Sequence, residues 1–452
     1  MNFFCPESTT VAEQSERDAL LSSLGVLRES PFTVGIEREA WRIVAGGCPA
    51  RSDHPFAPGA ERFPEGQITV DFAENQAELV TAPAAGAAAA AERLRLLHGR
   101  LHRALSGELL WPLSLPGCWG GEAEPARFGG VAAQEGARQY RRYLAAKYGT
   151  ARQAICGVHF NISLPEAFWT ALAGRTGAEP DRSAWYFAAM RNILRHRYVI
   201  TYLFGASPLV DLRWGASLGA ALGPEDRALL ATCGRHSSSL RSSPLGYQMP
   251  GDTARALAGV WAGPDAFATG LRGAIESGLL AGEREFYAPV RPKTVEGGSL
   301  AALERRGVEY IEIRVLDIDP FAATGISLET LQFLEAFTAA ALLLPSRPLL
   351  PDELEEEARL NAWATLCSCG AGTERRSIYA VRTGPLWAAL REAASLLGPA
   401  HEAAVEAAAE VFDGRAPRIV DRFFRAAEAS GVSLREQGLR LARAQRKEFY
   451  HD

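Results

Sequence analysis

Hydrophobic and polar residues alternate with a period of two in short segments of the chain and follow a helical period in longer ones. The period-two segments predict strands, at 32–44, around 68–72 and 77–81, and at 153–165, 284–293 and 308–318. The helical spacing predicts helices at 8–29, after Pro83, and at 135–148 and 183–204. After Pro320 the pattern changes to helices alone, at 327–344, 353–366, 385–397, 400–413, 416–429 and 433–450.

The order of these elements decides between two fold classes. Strands that are separated by long helices in irregular order predict an α+β protein rather than a doubly wound parallel sheet. We therefore expect residues 1–350 to form a core of sheet and helices. Residues 351–452 are expected to form a C-terminal helical region packed on that core, not necessarily as a separate domain.

The polar faces of the predicted strands carry acids and one imidazole. Alternation gives each strand one apolar face, for example Ile311 and Ile313, and one polar face, for example Glu312 and Arg314. Each face alone is typical of a solvated antiparallel sheet. If the strands share one sheet, however, five carboxylates and an imidazole converge, from Glu37, Glu39, Asp71, Glu78, His159 and Glu312. Such oxygen-rich sets favour Mg²⁺, or Mn²⁺, which tolerates a histidine ligand better.

Composition removes several classes of protein. The 452 residues are 47% hydrophobic and 22% charged with a net charge of -5, which excludes a disordered chain and the basic footprint of a nucleic-acid binder. No P-loop, G-x-G-x-x-G after a strand, G-x-S-x-G or H-E-x-x-H motif occurs.

Cysteine usage and apolar stretches bear on the compartment. The N-terminus lacks a secretory pattern, and no run of about 20 uninterrupted apolar residues occurs, so we expect a cytoplasmic protein without membrane contact. The chain has an odd number of scattered cysteines and no C-x-x-C pair, which predicts a reduced intracellular protein. The cysteines are at positions 5, 48, 118, 156, 233, 367 and 369.

Several longer strings identify a family. The chain resembles the bacterial single-chain glutamate–cysteine ligases over roughly residues 30 to 345. The matching segments keep the family's order and include GIEREAWR (35–42), VDFAENQAELVT (70–81), YRRYLAAKYG (140–149), GVHFNISLP (157–165), YAPVRPK (287–293) and GVEYIEIRVLDIDPF (307–321). The resemblance implies a glutamine-synthetase-like core, with a curved, mainly antiparallel sheet that forms a funnel-like active site.

The resemblance also implies a reaction and roles for residues. ATP phosphorylates the γ-carboxylate of glutamate, and the amine of cysteine then displaces phosphate, the first step of glutathione synthesis. The six residues of the polar faces are implied as metal ligands, Arg314 as the contact of the transferring phosphoryl group of ATP, and Arg241 as the contact of a substrate carboxylate. The acceptor pocket is implied to consist of Phe72, Tyr140, Leu144, Ile155, Tyr247 and Tyr287. Arg141 and Lys293 are implied as phosphate or substrate contacts.

Departures from the family pattern keep some alternatives open. Phe160 stands where a tyrosine often follows the histidine, and the match is poor after about residue 350. Acceptor identity is therefore the least secure inference, and a ligase for another amine is the nearest alternative. A metal-dependent hydrolase and an inert binding protein with this fold are further alternatives. We expect glutamate, cysteine and ATP as ligands and a monomer or small homo-oligomer.

Overall fold

The period-two segments form strands of one antiparallel sheet in the computed structural model, which describes residues 11–56, 60–121, 123–127, 132–367 and 373–450. The strands are β1 (Thr33–Ile43), β2 (Ala60–Phe63), β3 (Gly66–Val70), β4 (Gln76–Thr81), β5 (Ala84–Ala85), β6 (Leu109–Leu110), β7 (Val158–Ser163), β8 (Val290–Lys293) and β9 (Tyr310–Leu316). Their order across the sheet is β2-β3-β4-β1-β7-β9-β8, and β5 and β6 pair with β1. The α+β prediction is thus confirmed.

Seventeen α-helices occur in the described part of the chain and pack around this sheet. They are α1 (Val11–Leu24), α2 (Gly86–Ala104), α3 (Ala132–Tyr148), α4 (Thr150–Gln153), α5 (Glu166–Thr176), α6 (Arg182–Phe204), α7 (Leu212–Ala220), α8 (Pro224–Cys233), α9 (Gly251–Ala256), α10 (Pro264–Glu276), α11 (Leu300–Arg306), α12 (Leu328–Leu343), α13 (Pro351–Ala362), α14 (Thr373–Leu397), α15 (Pro399–Phe412), α16 (Ile419–Ala429) and α17 (Leu434–Glu448). None of these helices is both long enough and apolar enough to cross a bilayer.

One face of the sheet is closed by two long helices. Helix α2 contacts β1 and β4, and helix α6 contacts β8 and β9. The apolar side chains that alternate along the strands, such as Ile36, Ile311 and Ile313, are fully buried in the core. Because the period is two, the same packing turns every second residue, acids included, to the opposite face.

The C-terminal helices contact the rest of the fold at several points. The ring of Trp387 in α14 lies 6.5 Å from that of Phe333 in α12, and His401 Nε2 lies 2.8 Å from Glu335 Oε2. Gln445 Nε2 donates a 2.8 Å hydrogen bond to the backbone oxygen of Pro320. These contacts agree with a packed helical region, while the boundary at residue 350 stays a prediction.

Two strand predictions are too long. Residues 150–153 form the short helix α4 after Gly149, whose φ of 81° starts a new turn, so the strand begins only at Val158. Residues 283–285 form a 3-10 turn, and Tyr287 N–H bonds to the backbone oxygen of Glu285, so β8 begins only at Val290. Turn hydrogen bonds replace ladder hydrogen bonds in both segments.

The prediction of reduced cysteines is wrong for one pair. Cys48 and Cys118 form a disulfide across 70 residues, whereas Cys156 and Cys233 are not part of a disulfide. The sequence spacing gives no sign of this pair because the pairing of Arg42 with Leu110, between β1 and β6, brings the two loops together. Cys5 and Cys369 lie outside the described residues.

Candidate active site

Strand register brings the predicted polar residues onto one face of the sheet. Glu37 of β1 lies opposite His159 of β7, and Glu39 lies opposite Glu78 of β4. Glu312 of β9 lies opposite Asn161 of β7. Glu37 and Glu312 therefore lie close together although they are 275 residues apart along the chain.

Three of these residues form the centre of the site. Glu37, His159 and Glu312 each offer one ligand atom, and these atoms lie within 4.8 Å of one another. His159 Nδ1 is 3.0 Å from Glu37 Oε2 and 3.4 Å from Glu312 Oε1. These three residues are among the six predicted metal ligands, and their role as ligands stays a prediction.

The remaining acids lie beside this centre and repel one another. Glu39 Oε1 is 3.6 Å from His159 Nε2, and the backbone N–H of Gly157 donates a 2.7 Å hydrogen bond to Glu39 Oε2. Burial, together with Asp71, raises the pKa of Glu39 to about 8 and that of Glu78 well above its usual value. Burial also raises the pKa of Asp71. Such shifts mean that uncompensated negative charge is costly here.

The donor set fits a divalent cation. Burial, helped by Arg314, lowers the pKa of His159 to about 4, so its imidazole is neutral and able to act as a ligand. The buried Nε2 of His159 makes no hydrogen bond to the described residues. A cation of charge +2 among these carboxylates would also remove the repulsion that raises the pKa of Glu39 and Glu78.

Two basic side chains reach the same carboxylate. Arg314 Nη1 donates to Glu312 Oε1 at 2.5 Å, and Lys293 Nζ lies 3.0 Å from Glu312 Oε2. Burial would raise the pKa of Glu312, yet Arg314 and Lys293 lower it well below its usual value. Cationic groups therefore lie directly beside the candidate metal ligands, as phosphate binding requires.

Arg241 is buried next to Arg314. Its Nη1 donates a 2.9 Å hydrogen bond to the backbone oxygen of Arg314, and only 2% of the residue is exposed. A Cβ atom on Gly157 would lie 2.1 Å from Arg241 Nη2, so only glycine leaves room for the guanidinium. Arg241 thus packs against β9, the strand that carries Glu312 and Arg314.

Aromatic residues predicted for the acceptor pocket gather at one end of the site. The rings of Tyr247 and Tyr287 lie 4.8 Å apart, and the ring of Tyr148 lies 5.8 Å from that of Tyr287. The hydroxyl of Tyr140 is buried and has no hydrogen-bond partner among the described residues. Arg141, next to Tyr140 on α3, donates a 2.8 Å hydrogen bond from Nε to the backbone oxygen of Asp71.

Three apolar residues predicted for the same pocket are buried near these groups along the chain. Phe72 follows Asp71, Leu144 lies one helical turn after Tyr140, and Ile155 lies two residues before Gly157. All three belong to the main hydrophobic core, and their place in an acceptor pocket stays a prediction.

The sequence-based list omits two residues that the structure brings to the site. Asn161 donates a 3.1 Å hydrogen bond from Nδ2 to Glu37 Oε1. Arg291 of β8 lies opposite Glu312 in the register. Burial lowers the pKa of Arg291, and the Glu312 carboxylate opposes that shift. Alternation could have found both, because Asn161 shares a face with His159, and Arg291 shares one with Lys293.

The chain is similar in sequence to proteins of known function. The model of the family described as "Glutamate-cysteine ligase" matches residues 25–276 and 268–363. The glutamate–cysteine ligase of Clostridium acetobutylicum is 30% identical over 389 residues, covering 78% of this chain and 79% of that protein. The glutamate–cysteine ligase of Vibrio parahaemolyticus is 34% identical over 358 residues, covering 72% of this chain and 67% of that protein.

Solved structures share the fold. The crystal structure of a glutamate–cysteine ligase from Francisella tularensis in complex with AMP has a TM-score of 0.79 at 24% identity, covering 92% of this chain and 89% of that chain. A bifunctional glutathione synthetase from Pasteurella multocida has a TM-score of 0.78 at 24% identity, covering 96% of this chain and 55% of that longer chain.

Proposed function

Since this chain belongs to the glutamate–cysteine ligase family, we propose that it forms γ-glutamylcysteine from L-glutamate, L-cysteine and ATP. An oxygen of the glutamate γ-carboxylate attacks the γ-phosphorus of ATP, and ADP leaves. The cysteine nitrogen then attacks the γ-carbonyl carbon of the acyl phosphate, phosphate leaves, and the nitrogen gives up a proton. The products are γ-glutamylcysteine, ADP and phosphate.

The single observation that carries this proposal is the position of Arg314 and Lys293 next to three convergent ligand atoms. Glu37, His159 and Glu312 lie within 4.8 Å of one another, and both cations contact Glu312. A hydrolase of simple esters needs no such pair of cations beside its metal ligands. Phosphoryl transfer needs both, because charge on the phosphate oxygens must be stabilised while donor and acceptor are held in line.

The six predicted ligands would hold the divalent ion. Glu37, His159 and Glu312 form the centre, and Glu39, Glu78 and Asp71 lie beside it. A bound Mg²⁺ or Mn²⁺ would neutralise phosphate charge and orient the triphosphate. The imidazole in the set favours tests with both ions, because Mn²⁺ accepts nitrogen ligands more readily.

The protein's own side chains supply positioning. We propose that Arg314 and Lys293 contact the transferring phosphoryl group, and that Arg241 binds a substrate carboxylate, since guanidinium groups bind planar oxyanions through two hydrogen bonds. Arg141 is proposed as a further substrate contact. Burial of the site would protect the acyl phosphate from water.

The tyrosine cluster is proposed to hold the acceptor. Tyr140 offers a buried hydroxyl without a hydrogen-bond partner among the residues that the structure describes, as expected for a group that bonds to substrate. Tyr247 and Tyr287, whose rings lie 4.8 Å apart, are proposed as further contacts of the acceptor. Phe72, Leu144 and Ile155 are proposed as apolar lining.

A coupled assay of ADP release tests the function. With glutamate, ATP and Mg²⁺ or Mn²⁺, we expect turnover on adding cysteine, and mass spectrometry should find γ-glutamylcysteine. Glu312→Gln should abolish turnover, because it removes a central carboxylate. The control Glu329→Gln changes an exposed acid at the start of α12 and should keep activity. ATP-independent turnover, or cysteine performing no better than alanine or 2-aminobutyrate, would contradict the proposal.

We further propose a cytoplasmic protein with residues 1–350 as the catalytic core, a monomer or small homo-oligomer that binds no nucleic acid. The net charge of -5 supports the last point. Cell fractionation, size-exclusion chromatography with light scattering, and limited proteolysis around residue 350 test these statements separately.

A further inference from the structure

A buried carboxylate outside the metal centre joins helix α3 to the turn that precedes β8. Glu285 lies in this turn and is completely buried. Its Oε2 accepts a 2.6 Å hydrogen bond from the backbone N–H of Ala281 and a 3.1 Å hydrogen bond from the hydroxyl of Tyr143. Its Oε1 accepts hydrogen bonds from Lys147 Nζ and from the hydroxyl of Tyr148. Three of the four donors belong to α3, so Glu285 ties the helix to the turn.

The donors on α3 share one helix face with residues that are proposed for the acceptor pocket. This face carries positions i, i+3, i+4, i+7 and i+8 of the helix, which are Tyr140, Tyr143, Leu144, Lys147 and Tyr148. Tyr140 and Leu144 are the pocket residues among them. The face that Glu285 holds is therefore also the face that borders the proposed pocket.

Ring contacts continue from the donors to two acceptor tyrosines. The ring of Tyr143 is stacked on that of Tyr140, with centroids 6.3 Å apart. The ring of Tyr148 meets that of Tyr287 edge-on, with centroids 5.8 Å apart. Tyr287 follows Glu285 by two residues, and its backbone N–H donates a 2.9 Å hydrogen bond to the backbone oxygen of Glu285. Each tyrosine that donates to Glu285 thus contacts a tyrosine proposed to hold the acceptor.

The junction between α3 and the turn is charged. Burial would raise the pKa of Glu285, yet the hydrogen bonds from Lys147 and Tyr148 lower it. Desolvation would lower the pKa of Lys147, but its hydrogen bond to Glu285 raises it. Both groups are therefore ionised at neutral pH. Charge-assisted hydrogen bonds are stronger than neutral ones, and a buried carboxylate that loses its partners is costly, so this junction resists displacement.

We propose that Glu285 is a positioning residue that fixes the width of the acceptor pocket and thereby determines which amino acids are accepted. This role rests on the proposed function. Glu285 would not touch the acceptor itself; it would hold Tyr140 on α3 and Tyr287 after the turn at a fixed separation. A pocket of fixed size discriminates against one extra methylene group by about 10- to 200-fold. Without the junction, α3 can move outward and a longer side chain can enter.

Glu285→Gln in the coupled ADP assay, with L-cysteine and with L-homocysteine as acceptors, tests the proposal. The amide keeps the size of the side chain, but it removes the charge and turns an N–H donor toward groups that are themselves donors. We expect kcat/KM for cysteine to fall roughly 10- to 100-fold, mainly through KM, because a displacement of about 1 Å is enough for such a loss. Homocysteine, one methylene longer, should lose less, so the preference for cysteine should fall at least about fivefold. KM for ATP should stay within about twofold, since none of the groups proposed to hold the phosphates contacts Glu285.

Two variants control for a general loss of structure. Glu283→Gln changes a partly exposed acid in the same turn and should leave the preference for cysteine unchanged. Tyr143→Phe removes only the hydroxyl of an exposed residue and keeps the ring that stacks on Tyr140, so it should fold even if Glu285→Gln does not. It should lower the preference in the same direction but less. In the Glu285→Gln background it should add almost nothing, because its partner is gone.

The preference for cysteine over homocysteine separates positioning from stability. A smaller folded fraction lowers turnover with both acceptors equally and leaves their ratio unchanged. An unchanged ratio in Glu285→Gln and Tyr143→Phe, or the same change of ratio in Glu283→Gln, would overturn the proposed role of Glu285. Wild-type protein that turns over cysteine would keep the proposed function in place in either case. Wild-type protein without cysteine-dependent ADP release would instead refute that function, and the role of Glu285 with it.

Discussion

Gly157→Ala tests whether Arg241 is held in place by the absence of a side chain at residue 157. A Cβ atom there would lie 2.1 to 2.3 Å from the guanidinium atoms of Arg241, so the arginine must move. Arg241 is only 2% exposed and has little free space. Any movement would break its 2.9 Å hydrogen bond to the backbone oxygen of Arg314.

The expected magnitude follows from these two losses. Overfilling a packed site costs about 1–3 kcal/mol, and a hydrogen bond from a charged donor contributes about 1.5–3 kcal/mol. We expect the free energy of unfolding to fall by roughly 2–4 kcal/mol. Under the proposed role of Arg241 in substrate binding, kcat/KM for glutamate should fall roughly 10- to 100-fold.

Urea unfolding and the coupled ADP assay measure both effects, with Gly35→Ala as the matched control. A Cβ atom at residue 35, on the neighbouring strand, would lie 3.6 Å from Asn161 Cβ, an ordinary contact. In an Arg241→Ala background, Gly157→Ala should be nearly neutral for stability, because its clashing partner is gone. Equal effects of Gly157→Ala and Gly35→Ala, or an undiminished effect in the Arg241→Ala background, would refute the reasoning.

Three further predictions concern the rest of the site and the fold. Asn161→Ala removes the hydrogen bond that orients Glu37. The Mg²⁺ concentration for half-maximal activity should rise about 10- to 100-fold, as is usual when a hydrogen-bond partner of a metal ligand is removed, and the free energy of unfolding is the control measurement. Burial and a nearby acid raise the pKa of Glu39 from about 4.5 to about 8. Between these two pH values the metal-free folded state keeps the Glu39 proton and the unfolded state does not, so the free energy of unfolding should fall as pH rises. In urea unfolding measured with a chelator, Glu39→Gln should reduce this pH dependence, and an unchanged dependence would contradict the assignment. Cys118→Ser opens the disulfide loop of 70 residues, and should lower the free energy of unfolding of the oxidised protein by about 4 kcal/mol according to the loop-entropy relation. The control Cys233→Ser, at a cysteine outside the disulfide, should cost much less, and equal losses would argue against the disulfide.

The pattern of hydrophobic and polar residues predicted most of the secondary structure, because the side chains buried on one face repeat with the period of the strand or helix. The alternation in 308–318 gave β9 and its two faces, with Ile311 and Ile313 buried and Glu312 on the other side. Alternation failed at 153–157 and 284–289, where turn hydrogen bonds compete with the sheet ladder. Apolar residues are common to strands and to buried turns, so composition alone does not separate the two.

The sequence by itself determined the family, the α+β class and the types of residue on the polar strand faces, because these depend on local order along the chain. Tertiary structure decided which residues meet. Register places Glu37 beside His159, and Asn161 beside Glu312. The pairing of β1 with β6 brings Cys48 to Cys118. Each of these contacts joins segments far apart in the chain, and their distance in space is set by packing rather than by spacing in the sequence.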